Sequence, residues 1–310
     1  VHDDEPLLVA DGARIAVDDV VAMDRLTFRS QGERVLLVGD AAPLFAAIAG
    51  TSLAWRGGGR APPSYLDRSG ASGECSVVAG KLSCAGADVG AGQHWTRIGA
   101  APLDPMLPAD WSVLDYVMWS ARLAGSPRKL ARDQAHHAIE LIHLTAFTRS
   151  AVNRLPLAVR RAAVLAQAVV TSPRVLLADS PLRGLDGPAV GFVLGALAAA
   201  TDGRGAIVTQ ERSDLAAPGG ALADGATSIL AFARGELVLD ADDSLALART
   251  YRVTVQANAT ALGDELAHAG LSLRGGPHHF TVTLPVEVDT RAIFAAASAA
   301  NAPIAELIRV

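Results

Sequence analysis

The chain has 310 residues, half of them apolar and 19% charged, with a formal net charge of −5. That length suits two domains, one large and one small; the composition excludes intrinsic disorder, and a negative balance with no basic stripe argues against a nucleic-acid binder. Apolar runs such as Val193 to Ala200 fall short of the ~20 residues of a membrane-spanning helix. Val1 to Pro6 resembles no export segment, and two cysteines, Cys75 and Cys84, make no disulfide framework. The expectation is a cytoplasmic protein.

In chain order, Leu7 to Arg29 alternates apolar and polar residues, which predicts short half-buried strands and an antiparallel patch. Glu33 to Gly39 is an apolar run ending in glycine, a buried strand. Pro43 to Gly50 then reads as a helix with proline in its first turn and glycine at its end. Thr51 to Gln93 is rich in Gly and Ser, predicting a mobile loop that flows into an irregular hairpin around Val77 to Val89. From Trp111 to about Ala146 the apolar period is helical. Leu155 to Val170 predicts a long helix, and Arg174 to Asp179 a strand buried on both faces and ending in an acid. Leu185 and Asp186 open another helix, and Gly205 to Thr209 is another buried strand. Alternating strands and helices imply a parallel sheet covered on both faces. Beyond Asp243 the order becomes β-α-β-β-α-β, the split ferredoxin-like arrangement. The predicted domains are 1–245 and 246–310, with a helical subdomain at about 104–155.

The stretch from Leu155 to Asp186 resembles the ATP-binding-cassette pattern of ABC transporters. In that pattern a signature opens a helix, the helix leads to an apolar strand ending in an acid, and a Gly-Leu-Asp follows, here Gly184, Leu185 and Asp186. Glu33 to Gly39 resembles the strand before the family's phosphate loop, Ile98 to Pro102 the approach to its glutamine loop, and Trp111 to Asp115 the start of its helical subdomain. The residues after 245 are similar to the accessory domain of some exporter ATPases. The resemblance implies an α/β, P-loop NTPase-like cassette with a parallel core sheet, an antiparallel β patch and a helical subdomain, plus a C-terminal ferredoxin-like α+β domain.

Position by position, the residues depart from the family. A phosphate loop wraps phosphates with glycine-supported N–H groups, reaches them with lysine and holds magnesium with a hydroxyl. Gly39, Asp40, Ala41, Ala42 and Pro43 supply none of this beyond the first glycine, and the loop is about four residues short. Asp40 is an anion where phosphate would sit, and Pro43 removes an N–H group. Asp179 stands at the family's magnesium-holding acid, but Ser180 replaces the water-activating glutamate. Leu103 replaces the glutamine, Gln210 the switch histidine, and Pro156, Leu157, Ala158 and Val159 the signature. Together these remove the main sources of phosphoryl-transfer acceleration.

Blander readings stand beside these. Asp179 is also an acid left at a strand end, capping Leu182 or pairing with an arginine; Asp186 a helix N-cap; Arg160 and Arg161 solvated or ion-paired. Cys75, Cys84 and His94 match no zinc spacing. His136 and His137 point to different faces of the helical pattern they share with His143. No cofactor or metal is expected. The expectation is therefore a pseudo-ATPase: a scaffold docking on a permease, another cassette ATPase or a second copy, and meeting the membrane only through that partner. An active ATPase with an unorthodox site that energises export, and a cytosolic adaptor, are the alternatives.

Overall fold

The computed structural model describes residues 6–30, 32–53, 73–210, 220–223, 225–242, 249–275, 279–284, 288 and 290–309. The chain divides into two compact units, Val1–Asp240 and Ala241–Val310. The loop expected within Thr51 to Gln93 falls largely on 54–72, outside the described residues.

Ten-residue strands β1 (Leu8–Val17) and β2 (Val20–Arg29) pair antiparallel, longer than the short strands expected because bulges re-register the pairing between Ala10 and Ala16. β3 (Arg34–Gly39), α1 (Ala42–Ala49) and β4 (Ser52–Leu53) follow. Gly50 closes α1 with a left-handed C-cap, φ 61°, the role glycine takes without a Cβ penalty. The expected irregular hairpin is a 12-residue strand, β5 (Gly73–Cys84), turning back into β6 (Ala87–Asp88). Strands β2, β1, β5 and β4 form one antiparallel sheet in that order.

β7 (Ile98–Ala101) precedes the helical region, α2 (Val113–Leu123) and α3 (Arg128–Leu141). Ser112 and Asp115 form a reciprocal capping box that starts α2. Then come α4 (Leu157–Val169), β8 (Val175–Ala178), α5 (Gly187–Thr201), β9 (Gly205–Gln210), α6 (Gly220–Ala223), β10 (Ser228–Ala233) and β11 (Glu236–Asp242). The second sheet runs β11-β10-β3-β9-β8-β7, parallel from β10 through β7.

Strand alternation assigns the core. Val35, Leu37, Val175 and Leu177 join Leu8, Ile15, Ile48 and Phe232 between the two sheets and α1. Leu36, Val38, Leu176 and Ala178 face Val164, Leu165 and Val193 of α4 and α5. Gly99 lets β7 approach α4: a Cβ there would lie 1.9 Å from Ala168 O.

On the exposed part of the first sheet, Arg14 Nε donates to Asp24 Oδ1 at 2.7 Å. This hydrogen bond, aided by the charges of Arg14 and Arg25, holds the Asp24 carboxyl below its ordinary range. A carboxyl depressed in the folded state gives its stabilisation in full above the unfolded pKa and loses it as pH falls through the folded one. Arg14→Ala is expected to raise the Asp24 pKa in an NMR carboxyl titration and, the pair being exposed, to leave the unfolding midpoint at neutral pH almost unchanged.

In the second unit, β12 (Arg249–Val255), α7 (Ala259–His268), β13 (Ser272–Gly275), β14 (His279–Leu284), α8 (Arg291–Ala299) and β15 (Ile304–Arg309) follow one another. The sheet is antiparallel in the order β13-β14-β12-β15. Val253, Val282, Leu262, Leu266 and Ile293 make its own core.

Candidate functional site

In a parallel sheet, ligands bind outside the carboxyl ends of the strands. Residues named from sequence gather there, because β3, β9, β8 and β7 are neighbours. Gly39 ends β3, Gln210 ends β9, Asp179 and Ser180 follow β8, and Leu103 follows β7. Pro156, Leu157, Ala158 and Val159 instead form the N-terminus of α4, and Asp186 that of α5.

Between β3 and α1 lie only Asp40 and Ala41, and both are stitched down. Gly39 takes φ 85° with its Cα against β10. The Asp40 N–H donates to Phe232 O at 3.2 Å and the Ala41 N–H to Gly39 O at 2.8 Å. Asp40 Oδ2 accepts the Arg234 N–H at 2.9 Å. Arg234 and Gly235, at φ 55° and 78°, make the two-residue turn joining β10 to β11, the positive-φ geometry favoured in hairpins. Ala41 is fully buried, Ala42 is exposed, and Pro43 has no N–H to offer.

Asp179 sits in a hydroxyl network. Its N–H donates to Ala101 O at 2.9 Å, and its Oδ1 accepts Thr209 Oγ1 at 2.8 Å and Ser180 Oγ at 3.2 Å. The Ser180 N–H is shared between Thr209 Oγ1 at 2.9 Å and Thr209 O at 3.2 Å. Ser180 is buried at φ 43°, a conformation uncommon outside glycine. The acid is therefore bonded to hydroxyls rather than capping Leu182, whose neighbouring turn is closed by the Arg183 N–H on Ser180 O.

Leu103 is buried and Gln210 is 4% exposed, with both side-chain amide atoms buried and without a hydrogen-bond partner among the described residues. Asp104 beyond Leu103 reaches Arg161 Nη2 at 3.3 Å. Arg161 is ion-paired, as one of the sequence readings had it, yet only 7% exposed rather than solvated; it lines a small cavity together with Pro102 and Asp179. Ala158 and Val159 are buried in the helical core. Asp186 holds the N-cap place of α5, but its side chain accepts no capping bond, so that expectation holds for the backbone alone.

Cys75 and Cys84 are both buried, and burial pushes the Cys84 thiol up to about 12. His94 is fully buried, its Nε2 2.7 Å from Ile48 O. Among the described residues no three His, Cys, Asp or Glu side chains group as a metal site, and no helix is long and apolar enough to cross a membrane. Sequence reasoning passed over Thr209 and Arg234. The signal for the first is a polar residue near the end of an otherwise apolar strand; for the second, an Arg-Gly pair between two apolar runs.

No family model matches the chain. The lipoprotein-releasing system ATP-binding protein LolD of Oleidesulfovibrio alaskensis is 36% identical over 92 residues, 29% of this chain and 39% of that protein. The glucosylceramide transporter ABCA12 of Mus musculus is 27% identical over 93 residues, 30% of this chain and 4% of the transporter. The chain thus spans well under two thirds of either relative. Among solved structures, cbiO1 of Clostridium perfringens, part of the ABC transporter complex cbiONQ, superposes with a TM-score of 0.58 at 16% identity, covering 77% of this chain and 89% of that one. An ATP-binding cassette of an ABC transporter in its ADP conformation, MJ1267, gives 0.58 at 12% identity, covering 76% and 91%. With its parallel core sheet, antiparallel patch and helices on the far face, the chain has the fold of the ATP-binding cassette of ABC transporters.

Proposed function

We propose that the chain is an ABC-ATPase-like subunit that has lost ATP binding and hydrolysis and serves as a protein-binding scaffold in a transporter or related complex. The observation that carries this reading is the two-residue β3–α1 link. A phosphate cradle needs several consecutive N–H groups turned inward around the anion. Here the Asp40 and Ala41 N–H groups are spent on Phe232 and Gly39, and the Asp40 carboxylate is held on Arg234. Ser180 following Asp179 supports the same conclusion, since a serine bonded to its neighbouring acid is no general base for water. Distant likeness to ABC transporter proteins supports a permease, a second cassette ATPase or a second copy as partner, with the chain peripheral to the membrane on the cytoplasmic side. The boundary near residue 245, the helical subdomain at about 104–155 and a ferredoxin-like class for 246–310 belong to the same reading. The strand order of the second unit supports that class.

One observation favours an active ATPase with an unorthodox site: the Gln210 amide, buried at the strand ends and unpaired among the described residues, is a group that a ligand would satisfy. Thermal unfolding with magnesium and ATP at up to millimolar concentration separates the two. Ligand at 100 times its dissociation constant stabilises by about 2.7 kcal/mol, or roughly 5–10 °C for a unit of this size. The scaffold reading expects no shift; a magnesium-dependent rise overturns it.

A further inference from the structure

We propose that the end of the α2–α3 hairpin docks on an anionic lipid surface. From Trp119 to Arg132 the chain carries Arg122, Arg128, Lys129 and Arg132 and no acidic residue, a local excess of positive charge on a protein whose net charge is −5. The nearest acids in sequence are Asp115 and Asp133. All four cations are exposed. Among them stand three large apolar side chains turned to solvent: Leu123 at 71%, Trp119 at 50% and Leu130 at 49%.

Helix geometry explains the exposure. Val113, Val117 and Ala121 bury one stripe of α2 in the core, which puts Trp119 and Leu123, four residues apart, on the opposite face. Trp111 packs edge-on against Trp119 at 5.6 Å and so holds the outer ring in place. A capping box fixes the start of α2, and Arg122 Nη1 donates to Ser126 O at 3.0 Å across the turn that leads into α3.

Leucine and tryptophan set among arginine and lysine are the side chains that enter a headgroup layer: the apolar tips reach the acyl boundary while the cations stay with phosphates. A protein partner would favour a concave or flat apolar patch that excludes water around its anchors. Here the apolar groups project near a helical turn and alternate with cations, which suits a deformable anionic surface. Each cation near such a surface contributes about fivefold in partitioning. The surface needs neither nucleotide nor a protein partner, so it stands or falls separately from the scaffold reading.

The test is flotation of the full chain with vesicles of phosphatidylcholine alone and of phosphatidylcholine with about one third phosphatidylglycerol. Binding to the anionic vesicles, weakened by added salt, is expected, with little on the neutral ones. Arg128→Ala with Lys129→Ala is expected to lower the partition coefficient about twenty-fivefold and Leu123→Ser about tenfold. Met106→Ser, at a side chain 98% exposed but outside the hairpin, leaves it unchanged. Since every position changed is exposed, circular dichroism and the unfolding midpoint should match the parent and exclude misfolding. No binding to anionic vesicles, equal binding to neutral ones, full binding by the hairpin variants, or retention by poly-glutamate in place of vesicles would each overturn the proposal.

Discussion

Gly39→Ala is expected to destabilise the first unit by about 3–5 kcal/mol, through two faults at one atom. A Cβ at this position would lie 2.2 Å from Phe232 O, a backbone atom of the adjacent strand that cannot rotate away. The residue also holds φ 85°, which a side chain tolerates at a cost of about 1–3 kcal/mol. Relief requires β3 to part from β10, loosening the Asp40 bonds to Phe232 and Arg234. The midpoint should fall by roughly 10 °C, read by thermal or urea unfolding. Gly191→Ala is the internal control: it lies inside α5, and no atom of the described residues stands within 4 Å of the Cβ it would gain. That change should stabilise by about 0.5–1 kcal/mol. If Gly39→Ala were neutral, β3 and β10 would not be in close register, and the short link would no longer carry the scaffold reading.

Much of this arrangement was legible because burial leaves a periodic trace. The apolar run from Val35 to Val38 and that from Val175 to Ala178 mark strands covered on both faces, and both are buried with a paired strand on each side. Pro43 and Gly50 bracket α1 through their backbone preferences alone. The hairpin of β10 and β11 was missed although its turn is local: Arg234 and Gly235 are a weaker positive-φ pair than Asn-Gly, and Ser228 to Ala233 is apolar enough to belong to a helix as well as a strand.

What no periodicity could reveal is the pairing between distant strands. Leu177 stands opposite Ile207, so two residues further along Asp179 meets Thr209. A shift of one residue would turn the hydroxyl to the other face. The Asp40 contact with Arg234 is hidden for the same reason, spanning 194 residues of sequence. Arg161 likewise looks like any charged helix position until the packing of α4 against β7 and β8 buries it beside Asp179.

Thr209→Val tests the hydroxyl network at nearly constant volume, and its expected cost is about 2–3 kcal/mol. The Thr209 hydroxyl donates to Asp179 Oδ1 at 2.8 Å and accepts the Ser180 N–H at 2.9 Å, so valine removes both bonds from a strand residue only 4% exposed. A hydrogen bond to an ionised carboxylate contributes roughly 1.5–3 kcal/mol, whereas the Ser180 N–H keeps Thr209 O as a partner. Ser180→Ala should cost less, about 1 kcal/mol, because its Oγ lies 3.2 Å from Asp179 and 3.3 Å from Thr209. If Asp179 serves only to close the end of β8, the loss of each variant is unchanged by adding magnesium and ATP. A loss that grows when magnesium and ATP are present would mean the network holds a bound ligand, and Asp179 would then have to be read as part of a working site.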